Sequence, residues 1–359
     1  MSKRLALVPF APASLRTALA ALSLLALAGT SRVAAQPPLT LPEPSQAASV
    51  SQTFGLTDIT ITYHRPHVRD REIWGKLVPY DQVWRAGANE NTTIAFSTPV
   101  KIGGKDLAAG RYGLHMLPSA GTWQIIFSSV DSNWGSFLYS ASEDVLRVEV
   151  KPEAAPVQEA LQYTFDDPTG RDVTVSLRWE KLRVPFKVSV DTPEVVYQSL
   201  KKELRGIHQF FWQSWNQAAA TLLTSKVHLD DAMIWADKSV SMQKNFANTF
   251  TKSRLMGLAG DAAGAKKLMD EAVPGATEAE LNTYGYQLFA GGATADAVAI
   301  FRENAKRNPN SWNAYDSLAE ALVTAGKKDE AVAMYKKALA LAPEAQKVRI
   351  QTAIADNQK

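Results

Sequence analysis

The sequence predicts a two-part chain: an antiparallel β-sandwich or jelly-roll-like domain followed by an α-helical solenoid. Three observations carry that prediction. From about Val50 to Val190, apolar residues recur with a period of two. After Pro193 the period becomes helical and stays helical to the end. Within that second half the chain repeats itself at an offset of 34 residues. Leu288 matches Leu322, Gly292 matches Gly326, Ala297 matches Ala331, Phe301 matches Tyr335 and Pro309 matches Pro343. A length of 359 residues also exceeds what one apolar core usually holds.

In chain order, residues 1–35 read as an export signal. Lys3, Arg4 and Arg16 flank an apolar run from Thr17 to Gly29. That run is too short to cross about 30 Å of hydrocarbon. Val33-Ala34-Ala35 offers the small residues a signal peptidase needs, and Gln36 would open the mature chain. The competing reading is an uncleaved membrane anchor. No later run is long enough to span a bilayer, so a periplasmic or secreted protein with no transmembrane segment in its mature chain is expected. Removing the four cations of residues 1–35 takes the formal net charge from +3 to −1. With no clustered basic surface, a nucleic-acid partner is not expected. The chain has no Cys. This excludes a disulfide scaffold, thiolate metal ligation, a cysteine nucleophile and a lipid anchor on Cys.

Residues 36–49, with Pro37, Pro38, Pro42 and Pro44, read as an extended linker. Residues 50–190 form the β domain. Ile59-Thr-Ile-Thr-Tyr63, Tyr112-Gly-Leu-His-Met-Leu117, Trp123-Gln-Ile-Ile-Phe127 and Val173-Thr-Val-Ser-Leu-Arg-Trp179 alternate as strands. Turn residues separate them at Gly103-Gly104, Ala109-Gly110, Ser119-Ala-Gly121 and Asp167-Pro-Thr-Gly170. About eight to ten short strands are expected. Trp74, Trp84, Trp123, Trp134 and Trp179 all fall here, as core and rim packing or as a stacking platform for a flat ligand.

Residues 191–359 form the helical domain, with the clearest repeats at 278–309 and 312–343. The repeat length, small residues at the helix crossing and a closing Pro resemble the tetratricopeptide repeat. The second copy matches that pattern at Leu318, Ala319, Ala331, Tyr335, Ala338 and Pro343. The first departs at Asn304, where the family has a small residue. Ala232-Met-Ile-Trp-Ala236 and Ala262-Ala-Gly-Ala-Lys-Lys-Leu268 look like second helices of two earlier units, giving about four in all. The resemblance implies an unidentified protein or peptide partner on the first helices. It places Asn282, Tyr286 and Phe289 of one unit, and Asn313, Asp316 and Glu320 of the next, on that face. An aromatic upper and acidic lower groove fits a peptide with apolar and basic residues. The Lys and Asn set that clamps a C-terminal carboxylate in some members is not matched. A groove filled by the chain's own segment Gln346–Asp356 is the competing expectation.

In the β domain, Tyr63-His-Arg-Pro66, Leu77-Val-Pro-Tyr80 and Val83-Trp-Arg-Ala-Gly-Ala-Asn-Glu-Asn-Thr-Thr-Ile94 form a specific pattern with Ile102-Gly-Gly104 and Ala109-Gly-Arg-Tyr112. It resembles the exported bacterial domain-of-unknown-function family 2911 over about residues 50–190. That resemblance implies a fold and, for many members, a repeat tail; it implies no activity. The polar, Gly-punctuated segment 84–92 is the kind of loop on which a rigid sheet meets ligands. Arg65, Arg71, Trp84, Arg85, Asn89, Glu90 and Thr92 are therefore the candidate ligand-binding residues, for a small molecule or glycan. A purely structural Arg85–Glu90 pair is the plainer alternative.

No Gly-x-Ser-x-Gly elbow, phosphate-binding loop, His-Glu-x-x-His helix or dinucleotide fingerprint occurs. No catalytic residue and no cofactor is assigned. A non-enzymatic binding module joined to an interaction solenoid is the leading functional expectation. The alternative is a hydrolase or metal-dependent enzyme acting on carbohydrate or another cell-envelope polymer through residues 84–92. Its metal version would use His64, His67 and His115, with Glu90 completing the set. His64 and His67 are three apart and point to opposite faces of a strand, which argues against a shared ion.

Overall fold

The computed structural model describes residues 41–358; the expected export signal and the first part of the linker lie outside them. The first strand, β1 (Gln46–Phe54), already begins within the range assigned to the linker. Alternating Ala48, Val50 and Gln52 give it a half-buried face, which the proline-based boundary overlooked. Next come β2 (Thr57–Arg65), β3 (Thr93–Phe96), β4 (Val100–Ile102), β5 (Lys105–Leu107), β6 (Gly110–Leu117), β7 (Trp123–Ser128), β8 (Asp144–Val150), β9 (Glu153–Asp166) and β10 (Asp172–Ser189).

They form two sheets, ordered β1-β2-β3-β6-β7-β8 and β5-β4-β10-β9. The register pairs Ile61 with Ile94, Ile94 with Tyr112 and Leu114 with Phe127 in antiparallel ladders. Ile59, Ile61 and Tyr63 are buried while Asp58 and Thr62 face out, as the alternation predicted. Both sheets contribute to one apolar core, and Phe127 of the first meets Phe186 of the second with ring centroids 6.0 Å apart. Trp74, Trp84, Trp123 and Trp179 join there into one aromatic cluster with centroids 4.9–5.9 Å apart. Those four indoles are packing, not a platform. Trp134 is the exposed exception.

Not all strands are short: β9 has 14 residues and β10 has 18. Pro156 lies in β9, which is an edge strand, where a missing donor is tolerated. Pro185 falls between the last β9 pair of β10, Arg183 with Glu153, and its first β4 pair, Ser189 and Val188 with Lys101 and Ile102. A proline that reads as a strand break thus marks a change of partner.

The helical half runs α1 (Thr192–Glu203), α2 (Trp212–Ser225), α3 (Leu229–Met242), α4 (Phe246–Leu258), α5 (Ala262–Ala272), α6 (Glu278–Ala290), α7 (Thr294–Arg307), α8 (Trp312–Thr324), α9 (Lys328–Leu341) and α10 (Glu344–Asn357). From α2 to α9 consecutive helices pack as four hairpins, so the two degenerate upstream segments lie in second helices as expected. Local chemistry fixes the starts. Asn245 with Asn248 and Thr277 with Glu280 form capping boxes, and the Ser311 hydroxyl accepts from the Ala314 amide at 3.1 Å. At the crossing of α6 and α7, a Cβ on Gly285 would lie 2.6 Å from the Phe301 ring, so only glycine permits that approach. The departure at Asn304 is also accounted for. Fully buried, it donates to the Glu278 carbonyl at 3.1 Å and so ties α7 to the start of α6. No described helix is long and apolar enough to cross a membrane.

Candidate functional site

The loop residues singled out from the sequence do not converge. Arg65 Nε donates to the Leu161 carbonyl at 2.9 Å, pinning the end of β2 to β9. Arg71 reaches the carbonyls of Val68 and His67 at 3.0 and 2.5 Å and closes its own turn. Trp84 stacks on Trp179 and bridges to Met116. Thr92 is buried and donates to the Ala86 carbonyl at 3.2 Å. The anticipated Arg85–Glu90 pair is not formed. Arg85 instead donates to the Asn89 carbonyl at 2.7 Å and lies 5.6 Å from the centroid of the Phe137 ring. The left-handed backbone at Asn89 (φ 56°) turns that carbonyl toward it. Burial lowers the guanidinium's affinity for its proton.

Nor do the three histidines assemble. His67 sits against Ala160 of β9, and its Nδ1 is buried with no hydrogen-bond partner. His115 is buried on the outer face of β6, beneath the loop that follows β7, with Nδ1 2.8 Å from the Ser136 hydroxyl. Burial pushes its pKa down to about 4, against a smaller upward pull from Asp144. His64 faces Glu90, Nε2 to carboxylate 3.3 Å.

That last contact belongs to a cleft of about 340 Å³ on the outer face of the six-stranded sheet. Its position follows from the register. Thr62, Thr93, Gly113 and Ser128 lie in one row across β2, β3, β6 and β7. Small side chains there leave a depression. A Cβ on Gly113 would approach the Val130 carbonyl to 2.3 Å, so glycine lets the segment after β7 cross close to the sheet. The Asn91 amide donates to the Asn133 carbonyl at 3.0 Å and holds that segment as a wall. Arg111 and Asp131 pair across the mouth at 3.2 Å. Of the residues predicted from the sequence, the cleft contains Glu90 and His64. The sequence reading overlooked Thr62, Asn91, Arg111 and Asp131; the glycine inside the β6 pattern was the signal that could have located them.

On the helical half, Tyr286 and Glu320 do meet. The Tyr286 hydroxyl donates to the carboxylate at 2.6 Å and lies 3.2 Å from the Ser317 hydroxyl, tying the third hairpin to the fourth. Burial, then Glu320, pushes that phenol up to about 12. Asn282 and Tyr286 line a shallow open depression. Phe289 packs into the apolar cluster of α7 and α8, and Asn313 is half-buried. Asp316 is withdrawn from the face altogether. Arg349 of α10 donates to it at 2.7 Å, and Ile350 of the same helix is fully buried beside Ala319 and Tyr335. The basic residue that fits the acidic lower groove is the chain's own. Burial raises the Asp316 pKa, with Arg349 opposing.

A larger cleft, about 520 Å³, lies between the second and third hairpins. Phe250, Met269, Tyr284, Leu288 and Ile300 give it an apolar floor, while Arg254, Lys266, Asp270 and Asp296 form its rim. Lys266 is paired with Asp270 at 3.1 Å. Burial, then Asp270 and Asp296, raises the Tyr284 phenol's pKa.

Comparison with known proteins divides along the same lines. Residues 45–188 match the profile of a family described as a protein of unknown function, DUF2911. The helical half is similar to solved structures of tetratricopeptide-type proteins. A crystal structure of MamA is 18% identical over 43% of this chain and 89% of its own, with a TM-score of 0.32. YrrB, described as a TPR protein with an unusual peptide-binding site, is 14% identical over 46% and 84%, with a TM-score of 0.31. MamA 41-end from Desulfovibrio magneticus RS-1 is 15% identical over 42% and 86%, also with a TM-score of 0.31. No curated protein matches the chain.

Proposed function

We propose that this protein is an exported, non-enzymatic adaptor: its helical hairpins hold a protein or peptide partner, while its β domain binds a small ligand. The observation that carries this reading is the apolar-floored cleft between the second and third hairpins, which is open among the described residues. The fourth hairpin, by contrast, is closed by α10. Arrays of this kind bury apolar surface between neighbouring units, and an open seam of about 520 Å³ is of ligand-pocket size. Its rim carries both signs of charge, which fits a peptide that lays an apolar side chain on Phe250 and Tyr284 between flanking polar groups.

The test fills the seam. Ala299 is exposed on α7 and lines the cleft, so Ala299→Trp plugs it without touching a buried position. Crosslinking in intact cells, followed by mass spectrometry, should recover a partner with the wild type and lose it with Ala299→Trp. A partner retained by the plugged variant refutes the seam as the binding site. Export is tested separately by sequencing the amino terminus of the protein recovered outside the cytoplasm, where Gln36 is expected.

A further inference from the structure

We infer that the cleft on the outer face of the six-stranded sheet is a saccharide site, shaped for a neutral ring rich in hydroxyl groups. This rests on the reading of the β domain as a ligand-binding module and names the ligand's class. Charge decides first. Arg111 and Asp131 are matched as an ion pair at 3.2 Å, and His64 Nε2 lies 3.3 Å from the Glu90 carboxylate. A charged ligand at the mouth would have to displace Arg111 or Asp131 from that pair. A hydroxyl group need not: it accepts from Arg111 and donates to Asp131 or Glu90 with the Arg111–Asp131 pair intact. Glu90 and Asp131 both retain exposed carboxylate surface for that purpose.

Shape and polarity agree. The floor includes two threonines, Thr62 and Thr93, paired across β2 and β3. The wall is a carboxamide, Asn91, which is buried yet unsatisfied. Its Oδ1 has no hydrogen-bond partner, and its Nδ2 makes one stretched contact of 3.4 Å with the Val130 carbonyl. A buried amide in that state is completed by a ligand hydroxyl or by the water that bridges to one. The residue after Asn133 is Trp134, whose ring is 59% exposed although the other four indoles of this domain pack into the core. An exposed indole next in sequence to a cleft residue offers an apolar face to the C–H side of a sugar ring.

The experiment applies the purified protein to an array of neutral and charged oligosaccharides. Hits are then titrated calorimetrically, with galacturonate and inorganic phosphate as charged probes. Thr62→Trp fills the floor from an exposed strand position, and Glu90→Ala removes an acceptor at the surface. Neutral saccharides should bind, Thr62→Trp should abolish binding, and Glu90→Ala should weaken it about tenfold, the loss of one charge-assisted hydrogen bond. Trp134→Phe should remove the accompanying fluorescence change. If phosphate binds, sugars do not, and Thr62→Trp stops it, the saccharide class is wrong and the ligand-binding reading stands; if galacturonate binds and neutral sugars do not, the claim of a neutral ring is wrong. Sugar binding unchanged in Thr62→Trp overturns the site. Absence of any binding overturns both readings.

Discussion

His115 shows how far one side chain's chemistry depends on what folds over it. The unfolded chain takes up a proton on this residue near pH 6.5, while the folded chain does so only at about 4. Between those values the unfolded state binds more protons, so stability rises with pH. The contribution is complete above about pH 6.5 and is lost as pH falls to about 4, on the order of 3 kcal/mol in all. Urea titrations near pH 7 and pH 4.5 should show this loss in the wild type, and a smaller one in His115→Gln. Gly285 makes a second prediction at this scale. Alanine there forces the Phe301 ring aside, and overpacking of this kind costs about 1–3 kcal/mol, measurable as a lowered melting temperature. Alternation alone made Ile59, Ile61 and Tyr63 legible as core, because period two needs no knowledge of the partner strand. The arginines were legible only as residue types. Each directs its fork at a backbone carbonyl brought near by a turn or a distant strand, as Arg65 does with Leu161, and such partners leave no mark on local spacing.

At the scale of the element, α10 is the clearest case. Its Ile350 is fully buried against Ala319, Tyr335 and Ala338, and Arg349 meets Asp316. Ile350→Ala should cost about 2–5 kcal/mol in a helix-monitored melt, as a cavity in a packed core does. Deleting residues 346–359 should unfold at least the fourth hairpin; a helical signal and melting temperature left unchanged would refute the capping role. The 34-residue offset revealed the last two hairpins because the crossing positions Ala297 and Ala331 are both fully buried and must stay small. The first two hairpins were visible only as fragments. Their buried contacts use Trp235 and Phe246 in place of repeat-pattern residues, so periodicity survived where identity did not.

For the whole molecule, the apolar clusters of residues 54–190 and of residues 197–350 are separate. Calorimetry should therefore resolve two transitions, and Ile350→Ala should move only the one that carries the loss of helix. A single transition shifted as a unit would show that the halves unfold together. The division itself was legible, since a change of period from two to 3.6 is a change of backbone geometry. The cleft was not, because it gathers residues of β2, β3, β6 and two loops, a neighbourhood fixed by register across the sheet. The tryptophan cluster has an optical consequence. Indoles 4.9–5.9 Å apart share their excitation, so light absorbed by Trp84 can be emitted from Trp74, Trp123 or Trp179. Fluorescence anisotropy in a rigid glass should accordingly be lower than for isolated indoles and recover when the β sheets come apart. Trp134, being exposed, is open to a collisional quencher and reports on the surface while the four clustered indoles report on the interior.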